Sequence, residues 1–360
     1  MSSGLILAVE SSCDETAVAI VRDGRRIVAN VVASQVALHA ASGGIVPEVA
    51  ARAHLRWMIP VLDEARRRAG LNDLRRLEAI AVTEGPGLAG SLLVGIQMAK
   101  TLAWLHDLPL VPVNHLEGHI YAAWLLDPDE DDRPAPEFPL IALVVSGGHT
   151  FLVEMADHLT YRLLGQTVDD AAGEAFDKVG RMLGLPYPGG PAIQRAAEAA
   201  TGRERAFPRA WLGNSFDFSF SGLKTAARRE VARQLGADPE QGPPDDAPPL
   251  PPEATAELAY AFQESVVDVL AAKTVRAAHE TAARAIVVGG GVAANSVLRE
   301  RLEAGARSLG VPLIVPRPAL CTDNAAMIGA AGFQRARSGA RADLGLAARP
   351  SLRLASAKAA

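Results

Sequence analysis

The chain has 360 residues, of which 49% are hydrophobic, 21% charged and 5% aromatic. This length exceeds what one hydrophobic core usually organises, roughly 250 to 300 residues, so we predict two domains. The formal net charge of −5 argues against a generally basic nucleic-acid-binding protein, and any contact with RNA must therefore be local.

Two further features of the sequence indicate the cellular compartment in which the protein works. The apolar run Leu5 to Val9 is far shorter than the roughly 20 residues of a membrane span and has no cationic segment before it. The only cysteines are Cys13 and Cys321, which excludes a disulfide framework and suits a reducing environment. We therefore expect a cytoplasmic protein without membrane contact.

The first third of the chain predicts strands that alternate with helices. β-Rich runs open the sequence, and Asp23-Gly24 is typical of a hairpin turn. Apolar residues then recur at helical spacing between short buried runs, which indicates an α/β fold. The predicted strands are 5–10, 16–24, 25–34, 79–83 and 110–113, and the predicted helices are 47–70, about 91–105 and one that follows 113.

The remainder repeats this opening. After an acidic, proline-rich break, strands are predicted at 140–146 and 150–156, and a long helix to about Arg284 precedes a strand at 285–290. We predict an N-terminal domain, 1–138, to which a C-terminal helix of about 323–338 returns. The second domain, 139–322, carries helical insertions and a proline-rich surface insertion, 238–253.

The last residues are predicted to form a flexible tail, 339–360. Basic residues face a single acid, Asp343, after Phe333. They fit either a solvated terminus or an arm that contacts phosphate. These residues are Arg335, Arg337, Arg341, Arg349, Arg353 and Lys358.

Three strand ends run into loops of small residues, at 9–16, 144–150 and 287–295. Such loops let backbone amides converge on an anion, and three of them in two similar halves indicate a nucleotide site. The arrangement resembles the actin, Hsp70 and sugar-kinase superfamily, which implies two ribonuclease H-like domains with a nucleotide cleft between them. The first loop reads ESSCDET instead of the Asp-Gly-Thr of Mg-ATP enzymes, which argues against an ordinary kinase.

The stretch VNHLEGHIY, 113–121, places His115 and His119 four residues apart, so one helix face can present both to one metal ion. A zincin protease needs glutamate directly after the first histidine, where this chain has Leu116. Asp323 is the best third candidate, although it could instead cap a helix. Two histidines and one carboxylate favour Fe²⁺, with Zn²⁺ possible in vitro.

Nine motifs occur in order from about residue 5 to 335: ESSCDET, GGIVPEVAARAH, EGPGLAGSLLVG, NHLEGH, LVVSGGHT, DDAAGEAFDKVGRMLGLPYPGGP, FDFSFSGLKTA, GGGVAANSVLR and CTDNAAMIG. With them the chain closely resembles the tRNA N6-adenosine threonylcarbamoyltransferase family, once labelled a glycoprotease. The resemblance implies transfer of threonylcarbamoyl from threonylcarbamoyl-adenylate to N6 of the adenine 3′ to the anticodon, in tRNAs that read codons beginning with A. AMP is released.

The resemblance also implies partners and site residues. Bacterial relatives work with an inactive paralogue of the same fold and a small ATPase. The implied metal ligands are His115, His119 and Asp323. The implied adenylate contacts are Val144, Val145, Ser146, Gly147, Gly148, Asp177, Gly190 and Asn295.

Several of these roles have alternatives. Asp177 is suited to ribose hydroxyls, Lys178 to phosphate, and the amides of 146–148 to phosphate or a developing oxyanion. Gly190 fits a tight turn, and Asn295 either reads adenosine or caps the next helix.

Catalytic residues are left open, with Asp14 and Glu15 as candidates for proton transfer or for contact with a partner or substrate. Glu117 is not expected to be a catalytic base. Alternative functions are a small-molecule kinase or ATPase of the same superfamily, a metalloprotease, and a binding-only scaffold, which would lack metal ligands.

Overall fold

The structure is a computed structural model that describes residues 4–39, 44–244 and 248–354. It divides into two units. Unit 1 comprises Met1–Pro136, Ala156–Tyr161 and Pro316–Ala360, and unit 2 comprises Glu137–Met155 and Arg162–Val315. The chain thus returns to unit 1 at Pro316, a few residues before the helix that was predicted to pack back.

Each unit contains one five-stranded sheet. The strands are β1 (Leu5–Glu10), β2 (Glu15–Arg22), β3 (Arg26–Ser34), β4 (Ala79–Gly85), β5 (Leu110–Asn114), β6 (Leu140–Val145), β7 (Thr150–Asp157), β8 (Thr160–Gln166), β9 (Ala285–Gly289) and β10 (Leu313–Ile314). The helices are α1 (Val36–His39), α2 (Pro47–Arg68), α3 (Ala89–His106), α4 (His115–Tyr121), α5 (Ala172–Met182), α6 (Gly189–Glu198), α7 (Ser221–Gln234), α8 (Pro252–Glu280), α9 (Ser296–Leu309), α10 (Pro318–Cys321) and α11 (Ala325–Arg337).

The sheet of unit 1 has the order β3-β2-β1-β4-β5, with β1 antiparallel to β2 and parallel to β4. The predicted hairpin turn is present, since Asp23 and Gly24 have φ values of 55° and 65°. Alternate residues of a strand point to opposite faces. Leu7 accordingly joins the core formed with α2 and α3, whereas Ala8 contacts Gly329 of α11. Helices therefore cover both faces of this sheet.

The sheet of unit 2 has the order β10-β9-β6-β7-β8, with β6 antiparallel to β7 and parallel to β9. Its centre repeats the design of unit 1, as the sequence predicted. The α/β fold class is confirmed. The predicted proline-rich insertion overlaps the first two residues of α8, and its residues 245–247 lie outside the described residues.

The prediction of a flexible tail is wrong for residues 339–354. Ala342 forms a β-bridge with Leu110, and Arg349 N donates to the carbonyl of Glu84. Glycine makes the close approach possible, because a Cβ on Gly85 would lie 2.0 Å from the carbonyl oxygen of Arg349. We call residues 339–354 the C-terminal strap. Lys358 lies outside the described residues.

No helix within 4–39, 44–244 and 248–354 has both the length and the apolar character needed to cross a membrane.

Candidate active site

The three candidate metal ligands come from two helix beginnings in unit 1. α4 starts directly after β5, and the side chain of Asn114 accepts a hydrogen bond from Leu116 N, which caps it. Asn324 caps α11 in the same way, through Met327 N. The capping role that was the alternative for Asp323 is therefore filled by its neighbour.

The structure brings His115, His119 and Asp323 together. Asp323 Oδ1 lies 3.5 Å from His115 Nε2 and 3.3 Å from His119 Nε2, and the three donor atoms lie within 4.8 Å of one another. Both imidazoles are buried, and Asp323 is 19% exposed. Neither ring nitrogen of His119 has a hydrogen-bond partner among the described residues. Buried polar atoms normally have partners, so this donor set fits a metal ion.

A buried carboxylate lies behind His115. His115 Nδ1 is 3.2 Å from Glu10 Oε2 and 3.1 Å from Ser12 Oγ, which leaves Nε2 directed to the other ligands. Burial opposes a charge on His115, but Asp323 and Glu10 raise its pKa well above the usual value. Such a carboxylate behind a histidine is common at metal sites. The cluster therefore favours a positive charge at its centre.

Asp14 and Glu15 also belong to unit 1. Burial, together with the negative charges of Asp323 and Asp14, raises the pKa of Glu15 to about 9. Glu15 Oε1 accepts a hydrogen bond from Ser34 Oγ at 2.9 Å. Burial and the neighbouring carboxylates therefore oppose a negative charge on Glu15 in the metal-free chain.

The candidate adenylate loop follows β6 in unit 2. Val144 and Val145 are buried strand residues, and the Ser146 amide donates to the carbonyl of His149 at 2.8 Å. That amide is therefore engaged in its own turn, and its assignment as an anion donor stays a prediction. Gly147 and Gly148 are exposed, and a Cβ on either would meet nothing within 4 Å. Their side of the loop is open to a ligand.

The other adenylate candidates contact or lie at two helix beginnings of unit 2, and Asp177 itself lies within α5. Asp177 Oδ1 accepts a hydrogen bond at 2.7 Å from Gly189 N, at the start of α6, and Gly190 follows with open space around it. Asn295 caps α9 through Leu298 N and donates to Gln263 Oε1 at 2.8 Å.

The residue predicted to steady phosphate lies close by. Lys178 is bound by Asp170 and Glu174 at 2.9 and 2.7 Å, so its charge is already compensated.

Comparison with known proteins identifies the family. A family model described as tRNA N6-adenosine threonylcarbamoyltransferase matches residues 26–330. The chain is 56% identical over 353 residues to the protein of that name from Thermomicrobium roseum, covering 95% of this chain and 94% of that one. It is 51% identical to the Symbiobacterium thermophilum protein of that name, over 98% of both chains. The chain belongs to the tRNA N6-adenosine threonylcarbamoyltransferase family.

This membership confirms the resemblance drawn from the nine motifs and the prediction of an acyltransferase. The HypF structure from T. kodakarensis is similar in fold, with a TM-score of 0.58 at 14% identity, and the match covers 93% of this chain and 48% of HypF. That likeness agrees with the predicted fold class and carries no statement about activity.

Glu117 has a partner that a protease base would lack. Its carboxylate accepts two hydrogen bonds from Arg335, at 2.5 and 3.0 Å, and its side chain is fully buried. The expectation that Glu117 is no catalytic base agrees with this pairing. Arg335 is correspondingly excluded from the set of arginines available to phosphate, because its side chain is only 18% exposed.

Sequence reasoning missed Glu10 and Gln263. Glu10 ends the apolar strand LILAVE and is fully buried. A charged residue closing a buried strand beside a loop was the available signal, since carboxylates are rarely buried without a partner. Gln263 had no such signal, because it lies within the apolar face of the long helix α8.

Proposed function

We propose that this enzyme transfers the threonylcarbamoyl group of threonylcarbamoyl-adenylate to N6 of the adenine 3′ to the anticodon, in tRNAs that read codons beginning with A. AMP is the leaving product. The observation that carries the proposal is the His115–His119–Asp323 cluster in a chain of this family. A kinase or ATPase of the same superfamily and a metalloprotease are the alternatives that the test below separates.

The chemistry explains why a metal and a nucleotide site belong together. The exocyclic amine of adenine is a weak nucleophile, so the enzyme must activate and orient the acyl donor. We propose that His115, His119 and Asp323 hold one divalent ion, Fe²⁺ in preference, with Zn²⁺ as a substitute in vitro. When bound, such an ion supplies Lewis-acid polarisation of the donor.

The residues of unit 2 are suited to the adenylate moiety. The exposed backbone at Gly147 and Gly148 is available to a phosphate, and the start of α6 at Gly190 adds the positive end of a helix dipole. Asp177 and Asn295 are proposed to meet the ribose and the adenine. Both side chains already make hydrogen bonds within unit 2, which orients them before the ligand arrives.

Partners are proposed from the family and from one surface of unit 1. Large apolar side chains on α2 and α3 are exposed, led by Trp104 at 72% and Leu55 at 67%. The others are Ile59 on α2 and Leu93 and Leu105 on α3. Contiguous apolar surface commonly marks a protein interface. We propose that this surface binds the inactive paralogue, that a small ATPase joins the complex, and that the reaction occurs in the cytoplasm.

A reconstituted assay tests the function. The purified enzyme, its two partners, unmodified tRNA and supplied threonylcarbamoyl-adenylate are incubated, and the tRNA nucleosides are analysed by mass spectrometry. We expect threonylcarbamoyladenosine together with an equal amount of AMP. The absence of the modified nucleoside would overturn the proposal. Parallel incubations with ATP and a small-molecule acceptor, or with a peptide, would support an alternative if they gave a phosphorylated product or peptide cleavage.

A further inference from the structure

Two elements carry the candidate metal ligands, and one ion pair joins them. His115 and His119 lie on α4, and Asp323 lies two residues before α11. Glu117 of α4 accepts hydrogen bonds from Nε and Nη2 of Arg335 on α11. We infer that Glu117 and Arg335 are positioning residues, which hold α4 in the rotation at which both histidines face Asp323. The inference rests on the metal site of the proposed function.

The two faces of α4 have different tasks. Each residue turns a helix by about 100°, so positions 115 and 119 share one face and position 117 lies on the opposite one. Any rotation of α4 about its axis would move the imidazoles and the Glu117 carboxylate together. A contact that fixes Glu117 therefore fixes the direction of both histidines.

The segment from Asp323 through α11 contacts α4 at three levels. Asp323 meets the histidines, and Met327 and Ile328 pack against Gly118, where a Cβ would lie 3.1 Å and 2.8 Å from their side chains. Arg335 makes the third contact, about 12 Å along the helix axis from Met327. Contacts this far apart restrict tilt, and the one on the far face of α4 restricts rotation.

The form of the pair suits a geometric role better than a purely stabilising one. A planar guanidinium that gives two parallel hydrogen bonds to a carboxylate fixes direction as well as distance. Burial removes water from both charges, with side-chain exposures of 0% for Glu117 and 18% for Arg335. Because this loss of hydration offsets much of the attraction, buried pairs often add little net stability.

The test measures Co²⁺ binding to the full chain by its visible absorption. In the variant Glu117→Met with Arg335→Met, both charges are removed together, so no unpaired charge remains buried. The control is Arg209→Met in unit 2, where Nε and Nη2 of the arginine both donate to Oδ2 of Asp268, at 3.0 and 2.8 Å, and Asp268 keeps Arg301 as a partner. We expect the Co²⁺ Kd to rise about 10-fold or more in the double variant, as for other outer partners of metal ligands, and to stay unchanged in the control.

A second variant, Arg335→Lys, keeps the charge and loses the fork, so it remains informative if the double variant does not fold. We expect an intermediate rise in Kd with an altered Co²⁺ spectrum. An unchanged Kd and spectrum in the folded variants would overturn the inference, even if the metal-free melting temperature falls. A native chain that binds no Co²⁺ would instead remove the proposed metal site, and the positioning role with it, before any variant is compared.

Discussion

The two groups of candidate site residues are built on different physical grounds. In unit 1, buried carboxylates and imidazoles crowd around one point, and His119 has no hydrogen-bond partner among the described residues. In unit 2, the candidate residues already form hydrogen bonds with nearby backbone. These bonds close the turn at Ser146 and join Asp177 and Asn295 to the first turns of α6 and α9. The first group has an excess of negative charge that a cation would complete, whereas the second offers shape and open glycine backbone. Substitutions that remove a charged or metal-binding group should therefore reduce activity most in unit 1. In unit 2, substitutions should act mainly by loosening the turn and the helix caps that orient the adenylate candidates.

The largest effect is expected from His115→Ala. The loss of one of the three proposed metal ligands should reduce tRNA modification by at least about 100-fold, since the loss of an outer partner alone commonly costs 10- to 100-fold. Mass spectrometry of tRNA nucleosides with supplied adenylate measures it. His106→Ala, at the end of α3, is the matched control and should modify tRNA normally. Equal activity of the two variants would show that His115 has no larger role in the reaction than His106.

The next effect is a pH dependence of the free energy of unfolding in the metal-free chain. The pKa of Glu15 rises from 4.5 to about 9 on folding, so the native state holds a proton that the unfolded state releases between those values. Its contribution is fully present below about pH 4.5 and is lost as the pH rises towards 9, with a slope of at most about 1.4 kcal/mol per pH unit.

Glu15→Gln removes this titration, so the stability of the variant should fall less than that of the native chain between pH 5 and 9. Urea unfolding at a series of pH values measures the difference. Parallel curves for the two proteins would show that Glu15 is not held in its protonated form.

A smaller effect separates the two roles of Asn295. Asn295→Ala removes the cap of α9 and should lower the free energy of unfolding by about 1 kcal/mol. Asn295→Asp keeps the capping acceptor but replaces the donor to Gln263 with a charged carboxylate oxygen. If the residue also reads adenine, both variants should raise the KM for the adenylate. A KM change confined to the alanine variant would assign Asn295 to the cap alone and sharpen the contrast with unit 1.

The smallest effect concerns the strap. Arg353 binds Asn114 through its carbonyl, so Arg353→Ala keeps this contact and removes only an exposed charge. If the arginine contacts a tRNA phosphate, the salt dependence of tRNA binding should decrease by roughly 0.7 to 0.9 in logarithmic slope. Identical slopes for the native chain and the variant would show that Arg353 does not contact a tRNA phosphate. Cutting the chain at Phe333 would be a poorer test, because it divides α11 and removes the partner of Glu117.

Helical periodicity was enough to pair His115 with His119, because ligands on one short helix need no tertiary information. Asp323 lies about two hundred residues away. Its carboxylate is free to face the histidines because the neighbouring Asn324, and not Asp323, caps α11. Glu10 was missed because its role arises only when the end of β1 meets the start of α4, a contact between elements that sequence patterns do not encode.

The fold was predictable where hydrophobic periodicity was strong. The prediction failed where the apolar alternation is weak or where main-chain hydrogen bonds hold the segment. β8 is a largely exposed edge strand, so its sequence lacks the apolar alternation that marks a half-buried strand. The strap was predicted to be flexible because it is rich in basic residues and in residues with small side chains. Its hydrogen bonds to Glu84 and Leu110 join main-chain groups, which leave no signature in the side-chain pattern. Ala342, Leu346 and Ala348 also pack against the core, but they are too few and too widely spaced to show a periodicity.

The interrupted course of unit 1 has a consequence for synthesis. α11 covers one face of the first sheet and carries the third ligand just before it, yet about two hundred residues separate it from α4. At 5 to 20 residues per second, a ribosome needs roughly 10 to 40 s to make that stretch. During this interval unit 2 can complete its own sheet, while the apolar face awaiting α11 is open to chaperones. The proposed metal site can therefore be completed only once nearly the entire polypeptide has left the ribosome.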